Sequence, residues 1–327
     1  MNKFSIEQLK QVTDIYFHAS CPDGTSAAFI CAAAFKEINL TPEFHSLQYG
    51  TEKMSKLEPK PGQLFVDITP SKERWEEWKV VNPIVLDHHE TVQYVTEGLG
   101  GVYATNEAHS GAQLALEEVM LPIIDFMPVM TQSDEDALEN WKELADRSMI
   151  RDTWKKDHPN WDAACQIAMS MLFMGSKGLI AKAQEYGLHA LERVDIEHLY
   201  EIGAQVVAND KRRIETLSKG AEFKGREEGF ELPKISFFNC TEKIISDTAN
   251  SLITNNECNV SVGYFYLFED GALRLQVSIR TDGSISARKI AESLGGGGHE
   301  RAAGFRMSGG TSPKELYDII FGAIFND

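Results

Sequence analysis

The sequence lacks several features that define whole classes of protein. Its five cysteines are an odd number at irregular spacings without a Cys-x-x-Cys pair, which excludes a disulfide framework and zinc sites built on that pair. The longest nearly unbroken apolar run, residues 27–35, is about half of what a membrane-spanning helix needs. The first residues show neither an apolar run nor a cleavage signature, so we expect a cytoplasmic protein with reduced thiols.

Positive charge is also scarce. The chain has 32 Lys and Arg residues against 49 Asp and Glu residues, which gives a formal net charge of −17. Affinity for long nucleic acid comes from many Lys/Arg–phosphate contacts, so a protein that coats duplexes is not expected. A small phosphate ester stays compatible with this acidity where bound cations supply the local positive charge. The length of 327 residues suits two domains with separate cores.

Three apolar segments in the first part of the chain each end in residues that can bind metal. Short apolar runs of this kind predict buried strands. The segments and the polar residues that follow them are 14–17 with His18 and Asp23, 64–66 with Asp67, and 84–86 with Asp87, His88 and His89. Since ligands bind beyond the carboxyl ends of parallel strands, we expect these side chains to meet at one edge of a sheet. For His88 and His89 alone, two surface histidines at the start of a loop are an equal alternative.

Helices are expected between and after these strands. One is predicted over 27–35 with Thr25 or Ser26 as its cap. Another opens after Ser110, whose hydroxyl either reaches a phosphate or caps the helix. A polar helix over 133–150 leads to two acids, Asp146 and Asp152. An amphipathic helix over about 195–219 is predicted to connect two domains, with the junction near 220–229.

The last hundred residues change character. Alternating apolar and polar residues predict strands at 234–238, 260–266 and 273–280. A helix predicted over 286–294 ends at four consecutive glycines, Gly295 to Gly298, followed by His299. Glycines expose backbone N–H groups and let a ligand approach closely, so we expect a phosphate-binding turn here; a flexible loop is the alternative.

Taken in order, these motifs resemble the DHH phosphoesterase superfamily, in the subclass with a C-terminal DHH-associated domain. The resemblance spans nearly the whole chain and implies an α/β fold. It implies a mainly parallel-sheet DHH domain at 1–195, a connector helix and linker at 196–228, and a smaller α/β domain with a mixed sheet at 229–327. The matching motifs are His18-x4-Asp23-Gly24, Asp67, Asp87-His88-His89, Arg151-Asp152-Thr153-Trp154, and Gly295–His299 with Ala302-Ala303-Gly304.

The resemblance also implies roles for individual residues. One divalent metal would take His18, Asp23 and Asp67, and a second would share Asp67 and add His88 and Asp152. Asp146 competes with Asp152, which is preferred because Asp-Thr-Trp follows a short apolar pair. His89 would face the scissile phosphate, and Asp87 would orient the cluster. The residues expected to bind substrate are Ser110, Arg280, Gly296, Gly297, Gly298 and His299. Mixed carboxylate and imidazole ligands suit Mn²⁺, with Mg²⁺ or Co²⁺ as alternatives, in one or two sites.

The function that this implies is a metal-dependent phosphodiesterase or exonuclease. It would cut short single-stranded oligonucleotides or dinucleotides to 5′-mononucleotides with a metal-activated water, with no membrane or long duplex as partner and with a homodimer as one option. An exopolyphosphatase or 3′-phosphoadenosine 5′-phosphate phosphatase is an alternative. A non-catalytic nucleotide sensor is another, because Thr25 stands where many relatives have a second acid and the spacing from His18 to Asp23 is one residue longer.

Overall fold

The computed structural model describes residues 3–104, 109–224, 233–241, 244–255, 257–269 and 271–325. The chain divides into two compact units, Met1–Val207 and Ala208–Asp327, with the boundary inside one long helix. The end of the predicted connector, 225–228, lies outside the described residues. Among the described helices, no single one is long and apolar enough to cross a membrane; the pair Trp161–Met174 and Ser176–Ala190, bent by 92°, passes the same criteria together.

A five-stranded parallel sheet forms the centre of the first unit. Its strands are β1 (Asp14–His18), β2 (Glu43–Leu47), β3 (Gln63–Val66), β4 (Ile84–Asp87) and β5 (Val102–Tyr103). The order β2-β1-β3-β4-β5 places β1, β3 and β4 side by side in the interior. The three predicted strand ends therefore lie at the same edge of one sheet, as expected. Strand β2 was not predicted, because only its last residue is buried and its apolar pattern is weak.

Helices cover both faces of this sheet. Their bounds are α1 (Ile6–Leu9), α2 (Pro22–Glu37), α3 (Glu52–Ser55), α4 (Trp75–Val81), α5 (Gln93–Gly98), α6 (Gly111–Ala115), α7 (Leu121–Phe126), α8 (Gln132–Asp152), α9 (Trp161–Met174), α10 (Ser176–Tyr186) and α11 (Arg193–Lys219). A π-helical turn, Leu116–Met120, joins α6 to α7. Short 3₁₀ helices occupy Lys72–Arg74, Glu90–Val92 and Gly187–Ala190.

Helix α2 is the central helix of the first core. Residues 27–35 are all buried, and their small alanines allow neighbouring helices to approach. The helix begins at Pro22 rather than near Ala27, since proline is well suited to the first helical position. The predicted caps Thr25 and Ser26 were therefore wrong: both lie inside the helix, and the residue before it makes no side-chain cap. Asp23 consequently sits in the first turn of α2.

The second unit contains a six-stranded mixed sheet. Its strands are β6 (Glu222–Lys224), β7 (Ile235–Asn239), β8 (Val260–Glu269), β9 (Ala272–Thr281), β10 (Gly297–His299) and β11 (Ala302–Ser308), in the order β10-β11-β9-β8-β7-β6. Among the described strands of this unit, only β7 and β8 pair in parallel. The helices are α12 (Ile245–Thr254), α13 (Ala287–Ser293) and α14 (Pro313–Phe325). The predicted fold class, a parallel sheet followed by a smaller mixed-sheet domain, is confirmed.

The two faces of this second sheet bury different amounts of side chain. On one face, Val262, Val277 and Phe305 pack in a cluster that includes Ile290 of α13 and Leu316 of α14. On the other face, a smaller cluster joins Phe238 of β7 to α12. The second face carries the glycine-rich segment, as the strand register below shows.

Candidate metal centre

Asp67 lies at the centre of the predicted cluster. It directly follows β3, it is fully buried, and its backbone N–H donates to the carbonyl of Leu86 at 2.9 Å. Its φ of 59° is in the left-handed region, which few residues other than glycine, asparagine and aspartate adopt. This backbone turn places the carboxylate between His18 and His88. Oδ2 lies 3.5 Å from Nδ1 of His18, and Oδ1 lies 3.1 Å from Nε2 of His88.

Three atoms of this cluster are buried without a hydrogen-bond partner among the described residues: Nδ1 of His88, Nδ1 of His18 and Oδ2 of Asp67. The last two face each other. A buried polar atom without a partner needs an explanation, and an ion that both atoms bind is one. Carboxylate and imidazole together suit a divalent transition metal. The residues present therefore fit a metal site.

Two groups of three side chains have ligand atoms that all lie within 4.8 Å of one another. The first group is His18, Asp67 and His89, and the second is Asp23, Asp67 and His88. Asp67 belongs to both, as expected of a shared ligand. The grouping of ligands differs from the expected one, in which His18 and Asp23 would bind the same ion. Asp23 lies closer to His88, with 3.9 Å between its Oδ2 and Nε2 of the imidazole.

Asp152 and Asp146 differ in position and in partner. Asp152 is the last residue of α8, and its Oδ2 lies 3.3 Å from Nε2 of His88. Asp146 lies nearly two turns earlier, pairs with Arg147, and leaves 45% of its side chain exposed. The structure thus brings Asp152 against His88, whereas Asp146 pairs with Arg147.

Asp87 organises the cluster through five hydrogen bonds. Its Oδ1 accepts from the backbone N–H groups of His88 and His89, at 2.7 and 3.0 Å, and from Nδ1 of His89 at 2.7 Å. Its Oδ2 accepts from the hydroxyls of Tyr49 and Thr69, at 3.0 and 2.7 Å. Burial opposes charge on His89, but the Asp87 carboxylate prevails and raises the pKa of His89 to about 9. The hydrogen bond to Nδ1 fixes the imidazole and leaves Nε2 as its other polar atom.

The buried acids also shift one another's pKa values. Burial acts to raise the pKa of Asp67, but the imidazoles of His18 and His88 hold it far below its ordinary value. Burial, together with the charges of Asp67 and Asp152, raises the pKa of Asp23 well above its ordinary value. The cluster thus concentrates negative charge in a buried place, and a bound cation would relieve that repulsion.

Ser110 lies behind Asp23. It is fully buried, it caps α6 by accepting from the N–H of Gln113, and its hydroxyl donates to Oδ1 of Asp23 at 2.7 Å. The N–H of Gly111 donates to Oδ2 of Asp23 at 2.5 Å. The capping alternative is therefore what the structure shows, and contact between Ser110 and substrate stays a prediction. The neighbouring residues 105–108 lie outside the described part of the chain.

Comparison with known proteins bears on the fold and on the second sheet. Residues 234–322 match the DHHA1 domain family. The whole chain has the fold of a solved DHH domain from a member of a family of ribosomal proteins, with 14% identity over 97% of this chain and 88% of that one and a TM-score of 0.62. Residues 234–322 thus form a DHHA1 domain, and the likeness to the solved DHH domain shows the fold of the chain.

Two further solved structures are similar to this chain. They are the pGpG-specific phosphodiesterase PggH from Vibrio cholerae, with 13% identity over 95% of this chain and 99% of that one and a TM-score of 0.48, and CDC45 from Entamoeba histolytica, with 10% identity over 96% and 95% and a TM-score of 0.46. No curated protein matches the sequence.

In the DHHA1 domain, strand register places two of the predicted substrate-binding residues on one face of the sheet. His299 of β10 lies opposite Ala302 of β11, and Ala302 lies opposite Arg280 of β9. Residues directly opposite one another share a face of the sheet, so His299 and Arg280 flank a small side chain on one face. The guanidinium of Arg280 donates to the hydroxyls of Ser246 and Ser278, at 2.8 and 3.2 Å.

The glycines of this motif form a strand edge rather than a flexible loop. Gly297 pairs with Gly304, and Gly298 pairs with Ala303. A Cβ at Gly298 would lie 2.6 Å from the backbone of β11, and one at Gly296 would overlap it. A Cβ at Gly297 would meet nothing within 4 Å. Two of the three predicted glycines are therefore required by packing, and Gly297 leaves open space on the sheet.

Several residues of these sites were not predicted from the sequence. Tyr49 contacts Asp87 from a segment without a motif, so no local signal pointed to it. The motif residue Gly24, together with Gly111, leaves room for Asp67, a packing role that the sequence did not indicate, because a Cβ at either position would lie against that side chain. In the DHHA1 domain, Arg306 shares a face with Gly304 by the alternation of β11, and its Nε donates to Gln276 at 2.7 Å. That alternation was the signal which could have revealed Arg306.

Proposed function

We propose that this protein is a phosphodiesterase of the DHH type that hydrolyses short oligonucleotides or dinucleotides to 5′-mononucleotides. The observation that carries the proposal is the buried cluster around Asp67, in which a carboxylate oxygen and an imidazole nitrogen face each other without hydrogen-bond partners among the described residues. Its ligand types suit Mn²⁺ and related divalent ions. When bound, such ions would lower the pKa of an attacking water and neutralise charge on the phosphate.

The residues around the cluster have separable tasks in this reaction. Asp67 and His88, with His18, Asp23 and Asp152 around them, would hold the cations. Asp87 holds His89 by its Nδ1, so Nε2 is the atom with which His89 hydrogen-bonds the phosphate or protonates the leaving oxygen. A pKa of about 9 keeps His89 protonated at neutral pH in the metal-free centre.

Charge favours a small substrate. A net charge of −17 opposes binding along a long polyanion, whereas a dinucleotide requires only a few phosphate contacts. In the DHHA1 domain, Arg280 and His299 lie on one face of the sheet and are candidate hydrogen-bond donors to a phosphate. The open position at Gly297 allows a ligand to approach the backbone closely. We propose that these residues bind a phosphate of a nucleotide.

The test is hydrolysis of labelled RNA and DNA dinucleotides by protein stripped with EDTA and then loaded with Mn²⁺, Mg²⁺ or Co²⁺. We expect 5′-mononucleotides only after metal is restored, and none from D67N. Polyphosphate and 3′-phosphoadenosine 5′-phosphate are assayed in parallel for release of inorganic phosphate. Tight dinucleotide binding without turnover at saturating Mn²⁺ would replace the hydrolase by a nucleotide sensor, and phosphate release from polyphosphate alone would replace it by an exopolyphosphatase.

A further inference from the structure

The end of α8 connects the metal centre to an aromatic cluster. Asp152, whose Oδ2 lies 3.3 Å from Nε2 of His88, is the last residue of the helix. Trp154 follows two residues later, and two residues span at most about 7 Å. A nucleotide whose phosphate lies beside Asp152 is therefore within reach of the Trp154 side chain.

The backbone at Trp154 is one that normally favours glycine. The N–H of Trp154 donates to the carbonyl of Arg151 at 3.3 Å, and the N–H of Lys155 donates to the carbonyl of Ile150 at 3.1 Å. This pair of bonds is a Schellman motif, in which the residue at the position of Trp154 is left-handed and usually glycine. Trp154 has a φ of 58°. The helix end does not require an indole there, so the side chain calls for another reason.

The indole of Trp154 belongs to a partly exposed aromatic and cationic cluster. Its ring meets that of Trp161 edge-on, with 5.6 Å between centroids and 76° between planes. The guanidinium of Arg151 lies 4.2 Å from the centroid of Trp154 and 5.4 Å from that of Trp161. The ammonium of Lys156 lies 5.2 Å from the Trp154 ring. Both tryptophans are only half-buried.

The other three tryptophans have an evident structural role. Trp78 and Trp141 are fully buried, and Trp75 packs against the cluster around Trp78 while it stacks on Tyr94. Trp154 and Trp161 belong to none of the buried apolar clusters of the described chain. Two partly exposed indoles with cations beside them match the chemistry of a nucleotide, in which a flat π system is attached to an anionic phosphate.

We propose that Trp154 and Trp161, with Arg151, form a subsite that stacks a nucleobase of the substrate beside the metal centre. The proposal rests on the proposed function, since the subsite would bind the base, which a nucleotide has and a polyphosphate chain lacks. Arg151 stays against the indoles by cation–π contact, and Lys156 offsets the charge of the nucleotide. Because every base has a π face, the subsite accepts all bases and selects against polyphosphate.

The experiment measures binding of 5′-AMP and of ribose 5-phosphate, which lacks the base, by calorimetry and by tryptophan fluorescence. We expect AMP to quench the emission of the wild type and of W75F equally, and ribose 5-phosphate to leave it unchanged. W154G should bind AMP about tenfold more weakly or worse, and W154F should recover most of the affinity. W154G should melt at or above the wild-type temperature, because glycine suits the left-handed position.

Several results would overturn the subsite. They are no quenching by AMP, equal quenching by ribose 5-phosphate, wild-type AMP affinity in W154G, or a strong loss of thermal stability in W154G, which would make the indole structural. The two proposals fail separately. AMP quenching without dinucleotide hydrolysis removes the hydrolase and keeps the subsite, whereas hydrolysis with unchanged AMP affinity in W154G removes the subsite alone.

Discussion

The first unit gathers charged side chains at the ends of parallel strands, whereas the second presents a row of small residues across a largely antiparallel sheet. In the first, Asp67 and Asp87 are fully buried, and the residues around them supply charges and hydrogen bonds. In the second, Gly298 and Gly304 leave backbone exposed, and their neighbours limit what can be added. The first site is therefore sensitive to the removal of atoms, and the second to their addition.

This difference follows from what each arrangement offers a phosphate ester. Buried carboxylates and imidazoles concentrate charge that cations can use, and such groups lose their effect when one partner is deleted. A glycine-lined strand offers its backbone and open space, which survive the loss of a distant side chain but not an extra Cβ. The predictions below test this contrast, from the largest expected effect to the smallest.

Replacement of the shared ligand should have the largest effect. D67N removes the charge but keeps a residue type that tolerates a φ of 59°, so the fold should persist. We expect Mn²⁺ affinity and activity to fall by more than the roughly 10- to 100-fold typical of residues that only orient a ligand. Calorimetry with Mn²⁺ and thermal melting measure both. Wild-type Mn²⁺ affinity in D67N would show that Asp67 is not a ligand.

Asp87 should have a smaller effect, because it contacts ligands rather than a cation. D87N loses the charge that holds His89, and we expect metal affinity or kcat/KM to fall about 10- to 100-fold. The matched control is D146N, whose side chain is 45% exposed and pairs with Arg147. D146N should behave as the wild type in both assays. A loss of activity in D146N equal to that in D87N would contradict the choice of Asp152 as the fourth motif.

Much of this contrast was visible in the sequence. An apolar run that stops at Asp or His is a local pattern, so His18, Asp67 and Asp87 could be placed at one sheet edge before any coordinates. The edge strand Glu43–Leu47 was missed because its residues alternate weakly and only Leu47 is buried. The helix predicted over 27–35 begins earlier, at Pro22, because proline suits the first turn of a helix.

Which ligands share an ion depends on side-chain directions that no local pattern encodes. His89, rather than Asp23, lies with His18 and Asp67, because Asp87 turns the imidazole toward them from a neighbouring strand. The strand Gly297–His299 was equally hidden, because glycine has low β-propensity and the pairing with β11 decides its conformation. The sequence thus predicted which residues lie at the sheet edge, but their contacts depend on tertiary packing.

The second unit offers a matched pair of glycines for testing the effect of added atoms. G298A places a Cβ 2.6 Å from the β11 backbone at a φ of 142°, so we expect a loss of about 1–3 kcal/mol of stability. G297A adds its Cβ to open space and should stay within about 0.5 kcal/mol of the wild type. Urea unfolding of the full chain, followed by circular dichroism, measures both. Equal effects of the two substitutions would refute the assigned register of β10.

The smallest predicted effect is a dependence of stability on pH that comes from the first unit. In the metal-free protein the pKa of His89 is raised to about 9, against an ordinary value near 6.5. Its pairing with Asp87 therefore contributes fully below about pH 6.5 and is lost as the pH rises through 9. Because 27% of the His89 side chain is exposed, we expect about 1–2 kcal/mol over this range rather than the full value.

Urea unfolding in EDTA between pH 6 and 9.5 measures this loss, and H89Q is the matched variant, since it removes the titrating imidazole and keeps a polar side chain. The slope of stability against pH should be shallower in H89Q, although His88, whose pKa Asp67 raises against the effect of burial, still contributes in the same direction. Identical slopes in the two proteins would mean that the Asp87–His89 pair does not contribute to the pH dependence of the unfolding free energy. In that case the first unit would be no more dependent on charge than the second, and the contrast between them would rest on packing alone.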